Sequence, residues 1–170
     1  IIVGGGIANS FLKSQGFNVG ESLVENDMIE IAEDLFNSGK IILPNKVIVA
    51  DSIDSNYSTI KNIDSVSSSD KIFDINLSSN MLEILKSSKT ILWNGPIGVF
   101  EKDPFQKGTH KLAKTIARSK AFSLAGGGET IAAINKFINK DEVSYCSTGG
   151  GAFLEYMEGK ILPSIEALGG

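Results

Sequence analysis

The sequence is short of the residues on which several classes of function depend. It holds one cysteine, Cys146, and one histidine, His110. An internal disulfide needs two cysteines, and a zinc site built from several Cys or His ligands needs more than these two residues, so both are excluded. We expect Cys146 to be a buried small apolar residue and His110 to be a solvated helix residue.

Arginine is scarce as well. Arg118 is the only arginine, and the formal net charge of the chain is -4. Proteins that bind nucleic acid place clustered Lys and Arg against the phosphate backbone, so nucleic acid is disfavoured as a partner. If the protein binds a highly charged small molecule with one arginine, backbone N–H groups are the obvious substitute.

Long apolar runs are also absent. No stretch of 18 apolar residues occurs, and no signal peptide precedes the first strand pattern, so we expect no membrane partner and a cytoplasmic location. A chain of 170 residues is long enough for one domain with a sizeable core. It opens directly on Ile1-Ile2-Val3-Gly4, within a strand pattern, and we therefore expect a fragment.

Short apolar runs alternate with helical patterns along the chain. This alternation predicts an α/β fold with a mostly parallel sheet and helices on both faces. Residues 52–70 are rich in Ser, Asn and Asp and predict a surface loop or an irregular β excursion. Strands are expected at 1–3, 46–50, 71–75, 90–93, 121–125 and 144–147, and helices near 8–14, 27–37, 109–118 and 129–138, after Ser78 or Ser79, and from about Gly150.

Three glycine triplets each follow an apolar strand and open a helix: Gly4–Gly6, Gly126–Gly128 and Gly149–Gly151. Glycine lets the backbone approach a ligand closely, and the helix that follows offers free N–H groups and a positive dipole end. One triplet is easily a tight turn, but three at strand-to-helix junctions indicate phosphate binding at one edge of the sheet.

Known nucleotide motifs do not account for these triplets. The pattern G-x-x-x-x-G-K-[ST] is absent, and the dinucleotide fingerprint fails because Asn9, Ile131 and Leu154 stand where it needs Gly or Ala. A further candidate is the segment Trp93–Glu101, in which a stiff Gly-Pro-x-Gly turn follows a strand and Glu101 can accept hydrogen bonds from sugar hydroxyls.

Several segments resemble motifs of the phosphoglycerate kinase family. Trp93–Glu101 is similar to the family's W-N-G-P-x-G-V-F-E, and Ala125–Thr130 to its G-G-G-D-T phosphate loop. The family's C-terminal signature is similar to residues 147–152 (STGGGA) together with 154–163. Its first glycine triplet and the residues that follow are similar to residues 2–12, so the match covers nearly the whole chain in order. The resemblance implies that residues 1–170 are a single Rossmann-like, three-layer nucleotide-binding domain, the C-terminal part of a two-domain kinase.

The reaction implied by the resemblance is phosphoryl transfer between 1,3-bisphosphoglycerate and ADP, giving 3-phosphoglycerate and ATP in glycolysis, with Mg²⁺ accompanying the nucleotide. The family is usually monomeric, and its N-terminal, phosphoglycerate-binding domain is absent from this chain. A lysine-bearing segment preceding Ile1 is expected to help bind the nucleotide phosphates. We therefore expect this chain alone to have no kinase activity.

The resemblance also assigns roles to residues. Gly5 and Gly6 would line the adenine slot with Leu23 and Val99 as apolar walls, and Asn94, Pro96 and Gly98 would lie beside the nucleoside, with Glu101 on the ribose. Gly127, Gly128 and Thr130 would contact the phosphates, and Glu129 would face Mg²⁺. Gly149, Gly150 and Gly151, with Thr130, would form the catalytic set that stabilises the moving phosphoryl group.

Two residues depart from the family pattern, and two other functions stay open. Glu129 stands where the family has Asp, and Asn76 where a Gly is expected. Glutamate keeps the charge of aspartate but is one methylene longer, so its carboxylate would meet the metal at a different position. The alternatives are a dinucleotide-dependent oxidoreductase domain, which would prefer NADH to ADP, and a non-catalytic interaction module, which would tolerate loss of Glu101 and Thr130.

Overall fold

The computed structural model describes residues 1–169, which fall into two compact units. The first comprises Ile1–Ile84 and Pro96–Leu112, and the second Leu85–Gly95 and residues 113–169. The strands are β1 (Lys46–Ala50), β2 (Thr59–Asn62), β3 (Lys71–Ile75), β4 (Thr90–Asn94), β5 (Phe122–Gly126) and β6 (Tyr145–Cys146). The α-helices are α1 (Gly5–Ser14), α2 (Ile29–Asn37), α3 (Ser79–Ser87), α4 (Lys107–Ala117), α5 (Gly128–Phe137), α6 (Gly151–Met157) and α7 (Pro163–Ala167).

The sheet of the second unit is parallel, as the alternation of strands and helices predicts. Its strand order is β4-β5-β6, and Trp93 in β4 pairs with Ala125 in β5, which pairs with Cys146 in β6. A parallel pair needs a crossover connection, and helices α4 and α5 supply the two crossovers. The α/β class is therefore confirmed.

The sheet of the first unit is antiparallel, which differs from the expected arrangement. Its order is β2-β1-β3, and β1 pairs antiparallel with both neighbours. The continuous apolar character of β1 suggested a parallel strand, but residues 51–70 contain no α-helix that could make a crossover. The polar segment from Ser52 to Asp70 is thus a β excursion, carrying β2 and a short 3-10 turn at Ile63–Ser65.

The expected first strand is reduced to a single bridge. Ile2 pairs with Ile42 in a parallel bridge, and the N–H of Ile42 donates to the carbonyl of Ile1 at 2.8 Å. The prediction of a strand over Ile1–Val3 is wrong among the described residues, because α1 already begins at Gly5 and leaves only a short extended segment to pair.

The first unit has two apolar clusters that fix the elements around its glycine turns. One joins α1 and α2 through Phe11 and Ala32. The other packs Phe105 against Ile48 of β1, with Phe73 and Val99 beside them. The Phe73 and Phe105 ring centroids are 4.7 Å apart, a favourable tilted pair.

Ser78, rather than Ser79, caps the N-terminus of α3. Its hydroxyl oxygen accepts a hydrogen bond from the N–H of Met81 at 3.2 Å, which is the expected N-cap bond to the third helical residue. Within residues 1–169, none of the helices has both the length and the apolar character needed to cross a bilayer.

Candidate functional site: glycine turns at strand ends

Within the second unit, the end of β4 and the start of α5 are joined by a side chain. The N–H of Gly95 donates to the Thr130 hydroxyl oxygen at 2.7 Å, and the Trp93 indole donates to the Gly95 carbonyl at 2.9 Å. A Cβ built on Gly127 would lie 3.5 Å from the Asn94 side-chain oxygen and 3.5 Å from the Thr130 hydroxyl. The fold thus brings Asn94, Gly127 and Thr130 together.

The N-terminus of α5 offers backbone N–H groups to an anion. Gly127, the N-cap residue, has a φ of 93°, which side-chain-bearing residues rarely adopt, and no side chain caps the helix. The Cβ position of Gly128 meets nothing within 4 Å, and Glu129 is exposed in the first helical turn. The first N–H groups of a helix lack intrahelical partners and suit phosphate.

Thr130 is placed differently from its neighbours. Its side chain is fully buried, and its hydroxyl oxygen is occupied by the bond from Gly95. The geometry therefore gives the Thr130 side chain a structural bond within the loop, and its contact with a phosphate stays a prediction.

The third triplet lies exposed after β6, the strand next to β5. Gly150 has a φ of 55°, and α6 begins at Gly151. A Cβ on Gly126 would overlap the ring of Phe153, so α6 packs directly on the residue that ends β5. Because β5 and β6 are parallel neighbours, the triplets that follow them lie at the same edge of this sheet.

In the first unit, the triplet Gly4–Gly6 lies against the turn that contains Ile97. The N–H of Gly5 donates to the Ile97 carbonyl at 3.1 Å, and a Cβ on Gly4 would come within 2.5 Å of the Ile97 Cβ. Gly5 has a φ of 60°. This contact explains why glycine is needed here, since any side chain at Gly4 would force the two segments apart.

The apolar and acidic residues predicted for the base and ribose lie in the same unit. Leu23 is 76% exposed, and its Cδ2 would be 3.4 Å from a Cβ on Gly6. Val99 is half-buried and packs on the cluster around Phe105, whereas Glu101 is exposed. The fold therefore brings Leu23 to Gly6, and Glu101 follows Val99 by two residues.

One buried acid near this turn escaped the sequence reasoning. Asp74 is 1% exposed, and its carboxylate accepts N–H bonds from Gly108 at 2.7 Å and from Ile75 at 2.9 Å. Burial raises the pKa of Asp74 to about 7, although the two N–H bonds act to lower it. A Cβ on Gly98 or Gly108 would overlap this carboxylate. The available signal was a lone acid inside the apolar strand KIFDI.

The single cysteine and the single histidine differ in how they match expectation. Cys146 in β6 is only half-buried, whereas a buried residue was expected, and His110 is exposed on α4, as expected. No group of three His, Cys, Asp or Glu side chains in the described part of the chain could hold a metal ion on its own. Asn76 needs no unusual backbone, since none of the non-glycine residues described has a positive φ.

Sequence comparison identifies relatives of this chain. A profile of the phosphoglycerate kinase family matches residues 1–160. The chain is 48% identical over 176 aligned positions to the phosphoglycerate kinase of Coxiella burnetii, and 52% identical over 176 to that of Francisella philomiragia. Each alignment covers 99% of this chain and 45% of the relative, so the chain spans under half the length of these curated proteins.

Solved structures give the same result at the level of the fold. The phosphoglycerate kinase of Coxiella burnetii superposes with a TM-score of 0.90 at 47% identity, over 97% of this chain and 45% of that one. The enzyme from Pyrococcus horikoshii superposes with a TM-score of 0.80 at 32% identity, over 98% and 44%. The Rossmann-like fold class is confirmed by these neighbours. With the profile matching nearly its full length, the chain belongs to the phosphoglycerate kinase family.

Proposed function

We propose that this chain is the nucleotide-binding part of a phosphoglycerate kinase, the cytoplasmic glycolytic enzyme that transfers a phosphoryl group between 1,3-bisphosphoglycerate and ADP to give 3-phosphoglycerate and ATP. The observation that carries this proposal is the uncapped N-terminus of α5, where Gly127 lies beside Asn94 and the Thr130 hydroxyl accepts the N–H of Gly95. Phosphoryl transfer depends mainly on positioning and charge stabilisation, which backbone N–H groups at a helix start can supply.

The phosphates would be bound by the glycine turns of the second unit. Gly127, Gly128 and the backbone of Thr130 would contact the nucleotide phosphates, and Gly149, Gly150 and Gly151 would stabilise the transferring group. The exposure of Gly128 and of the third triplet supports these roles, because a ligand must reach their N–H groups. The scarcity of arginine noted above is consistent with backbone recognition.

The nucleoside would be bound in the first unit, by residues around the triplet Gly4–Gly6. Gly5 and Gly6 would present a flat backbone surface to the base, with Leu23 and Val99 as apolar walls and Pro96 and Gly98 beside them. The exposed Leu23 next to Gly6 supports this assignment, because an apolar side chain that is 76% exposed is available to a planar ligand. Glu101 would accept hydrogen bonds from the ribose hydroxyls.

Magnesium would enter with the nucleotide rather than occupy a protein cage. Mg²⁺ commonly uses one or two carboxylates together with phosphate oxygens and water. Glu129, exposed in the first turn of α5, fits a single ligand of this kind. The ion would neutralise phosphate charge, and Glu129 would orient it from one side.

The partner of this domain would be the remainder of the kinase. We propose that residues 1–170 form one nucleotide-binding domain. The relatives extend well beyond the matched region, which leaves space in them for a separate phosphoglycerate-binding domain. The assembled enzyme would be monomeric, as is usual in the family.

Thermal unfolding in the presence of MgADP or of NADH distinguishes this function from the two alternatives. We expect MgADP to stabilise the folded chain against thermal unfolding in a saturable manner, and NADH at equal concentration to give a much smaller shift. A larger shift with NADH would favour a dinucleotide-dependent oxidoreductase domain. No shift with either nucleotide would favour a non-catalytic interaction module and overturn the proposal.

A further inference from the structure

The turn at Pro96–Val99 is held in place by backbone bonds to three separate elements. The N–H of Ile97 donates to the Thr109 hydroxyl oxygen at 3.2 Å, and its carbonyl accepts from Gly5. The N–H of Val99 donates to the Phe73 carbonyl at 2.8 Å. Bonds to α4, α1 and β3 therefore fix the position of the turn.

The Asp74 carboxylate lies at the centre of this arrangement. Its Oδ2 accepts the N–H of Gly108, in the first turn of α4, and its Oδ1 accepts the N–H of Ile75. Both Gly98 and Gly108 lie so close that neither has space for a Cβ. The carboxylate thus acts as a rigid spacer between the turn and the start of the helix.

Thr109, the residue after Gly108 on α4, makes a second contact between the helix start and the turn. It is fully buried, and its hydroxyl reaches Ile97 from the position next to Gly108. Any displacement of the α4 start therefore moves both Gly98, through Asp74, and Ile97, through Thr109. The buried side chains of Asp74 and Thr109 therefore link the helix start to the turn.

We propose that Asp74 and Thr109 are positioning residues for nucleoside diphosphate binding. They fix the position of the Pro96–Val99 turn relative to the start of α4. This inference rests on the proposed function of Pro96, Gly98 and Val99. Neither residue touches the ligand in this account: Asp74 and Thr109 act through the backbone that faces it.

The test of this proposal is a variant that removes the charge of Asp74 and keeps its shape. Of the titratable side chains on the elements packed around it, Lys71 on β3 and Lys114 on α4 are half-buried. The others are exposed: Lys46 on β1, Lys107, His110 and Lys111 on α4, and Glu101 after the turn. Asparagine has nearly the same shape as aspartate, but its NH₂ group cannot accept an N–H bond. Asp74→Asn therefore disrupts one of the two bonds while leaving the volume unchanged, and it removes a buried charge.

The test measures the dissociation constant for MgADP and the free energy of unfolding in parallel, at pH 8. For Asp74→Asn we expect affinity about tenfold weaker, as for loss of one bond to a charged group, with no loss of stability. The matched control is Asp70→Asn, which removes a carboxylate bonded to Lys61 and the N–H of Ser67. This control should lose stability and keep its affinity, since Asp70 does not contact the turn.

The outcomes separate the inference from the function on which it rests. If the unchanged chain binds MgADP and Asp74→Asn binds equally well, the inference is overturned and the proposed function stands. If the folded, unchanged chain does not bind MgADP, both fall. Should Asp74→Asn fail to fold, Thr109→Val decides: weaker binding by the folded variant supports the inference, and unaltered binding overturns it.

Discussion

The α-carbon of Gly98 and the carboxylate of Asp74 are packed so closely that the side chain of alanine has no space between them. Gly98→Ala should lower the free energy of unfolding by about 1–3 kcal/mol, because the turn or the buried strand must shift to admit a methyl group. Urea denaturation followed by circular dichroism measures this change.

Gly128→Ala is the matched control for that substitution. The Cβ position of Gly128 is open, its φ is not positive, and it is the first residue of α5. Alanine there should leave stability within about 0.5 kcal/mol. Equal losses of stability in Gly98→Ala and Gly128→Ala would mean that the close contact with Asp74 does not contribute to the free energy of unfolding.

The buried carboxyl of Asp74 makes stability depend on pH in a defined direction. Its pKa is raised from 3.8 to about 7, so between these values the folded state holds a proton that the unfolded state has released. Its stabilising contribution is therefore complete below about pH 4 and lost as pH rises to about 7, at up to about 1.4 kcal/mol per pH unit.

A comparison of the chain with Asp74→Asn isolates this contribution. The free energy of unfolding of the unchanged chain, relative to the variant, should fall between pH 5 and pH 8. A relative stability that stays flat or rises over this range would contradict the assignment of a raised pKa to Asp74.

Residues with a local signature were predictable from the sequence. Gly127, Gly150 and Gly5 adopt the positive φ for which glycine is suited. The bond from Gly95 to Thr130 and the packing of Asp74 were not predictable, because these partners are separated by 35 and 34 positions and meet only through tertiary structure.

The N-terminus of α3 offers a test at the scale of a single element. Ser78→Ala removes the acceptor of the Met81 N–H bond and should lower the free energy of unfolding by about 1 kcal/mol. Ser79→Ala, at the exposed first residue of the helix, is the control and should change stability much less. Denaturant unfolding of both variants checks this, and a greater loss for Ser79→Ala would reassign the cap.

Element boundaries were predictable where periodicity is strong and pairing is local. The strands at Lys46–Ala50 and Lys71–Ile75 have the bounds that their apolar runs predict. The antiparallel pairing of these two strands was not predictable from their own residues. The relative direction of paired strands depends on the segment that connects them, and residues 51–70 carry no helix for a crossover. The weak helical pattern of residues 51–70 was the one indication in the sequence that no crossover helix connects these strands.

At the scale of the whole molecule, the chain alone should not catalyse phosphoryl transfer. It spans 45% of the length of its relatives from Coxiella burnetii and Francisella philomiragia, and the family resemblance implies a phosphoglycerate site in the part of the relatives that residues 1–170 do not match. A coupled assay with 1,3-bisphosphoglycerate and MgADP should give no ATP above background. Steady turnover that is proportional to the concentration of this chain would contradict this expectation.

Calorimetric titration with MgADP decides whether this chain binds nucleotide in the absence of catalysis. We expect saturable binding by the unchanged chain. Glu101→Ala, which loses the proposed ribose acceptor, should bind more weakly, and Glu33→Ala, at an exposed glutamate on α2, should bind as the unchanged chain does. If the folded chain does not bind MgADP, or if the Glu101→Ala and Glu33→Ala variants bind with equal affinity, the proposed nucleotide site is wrong.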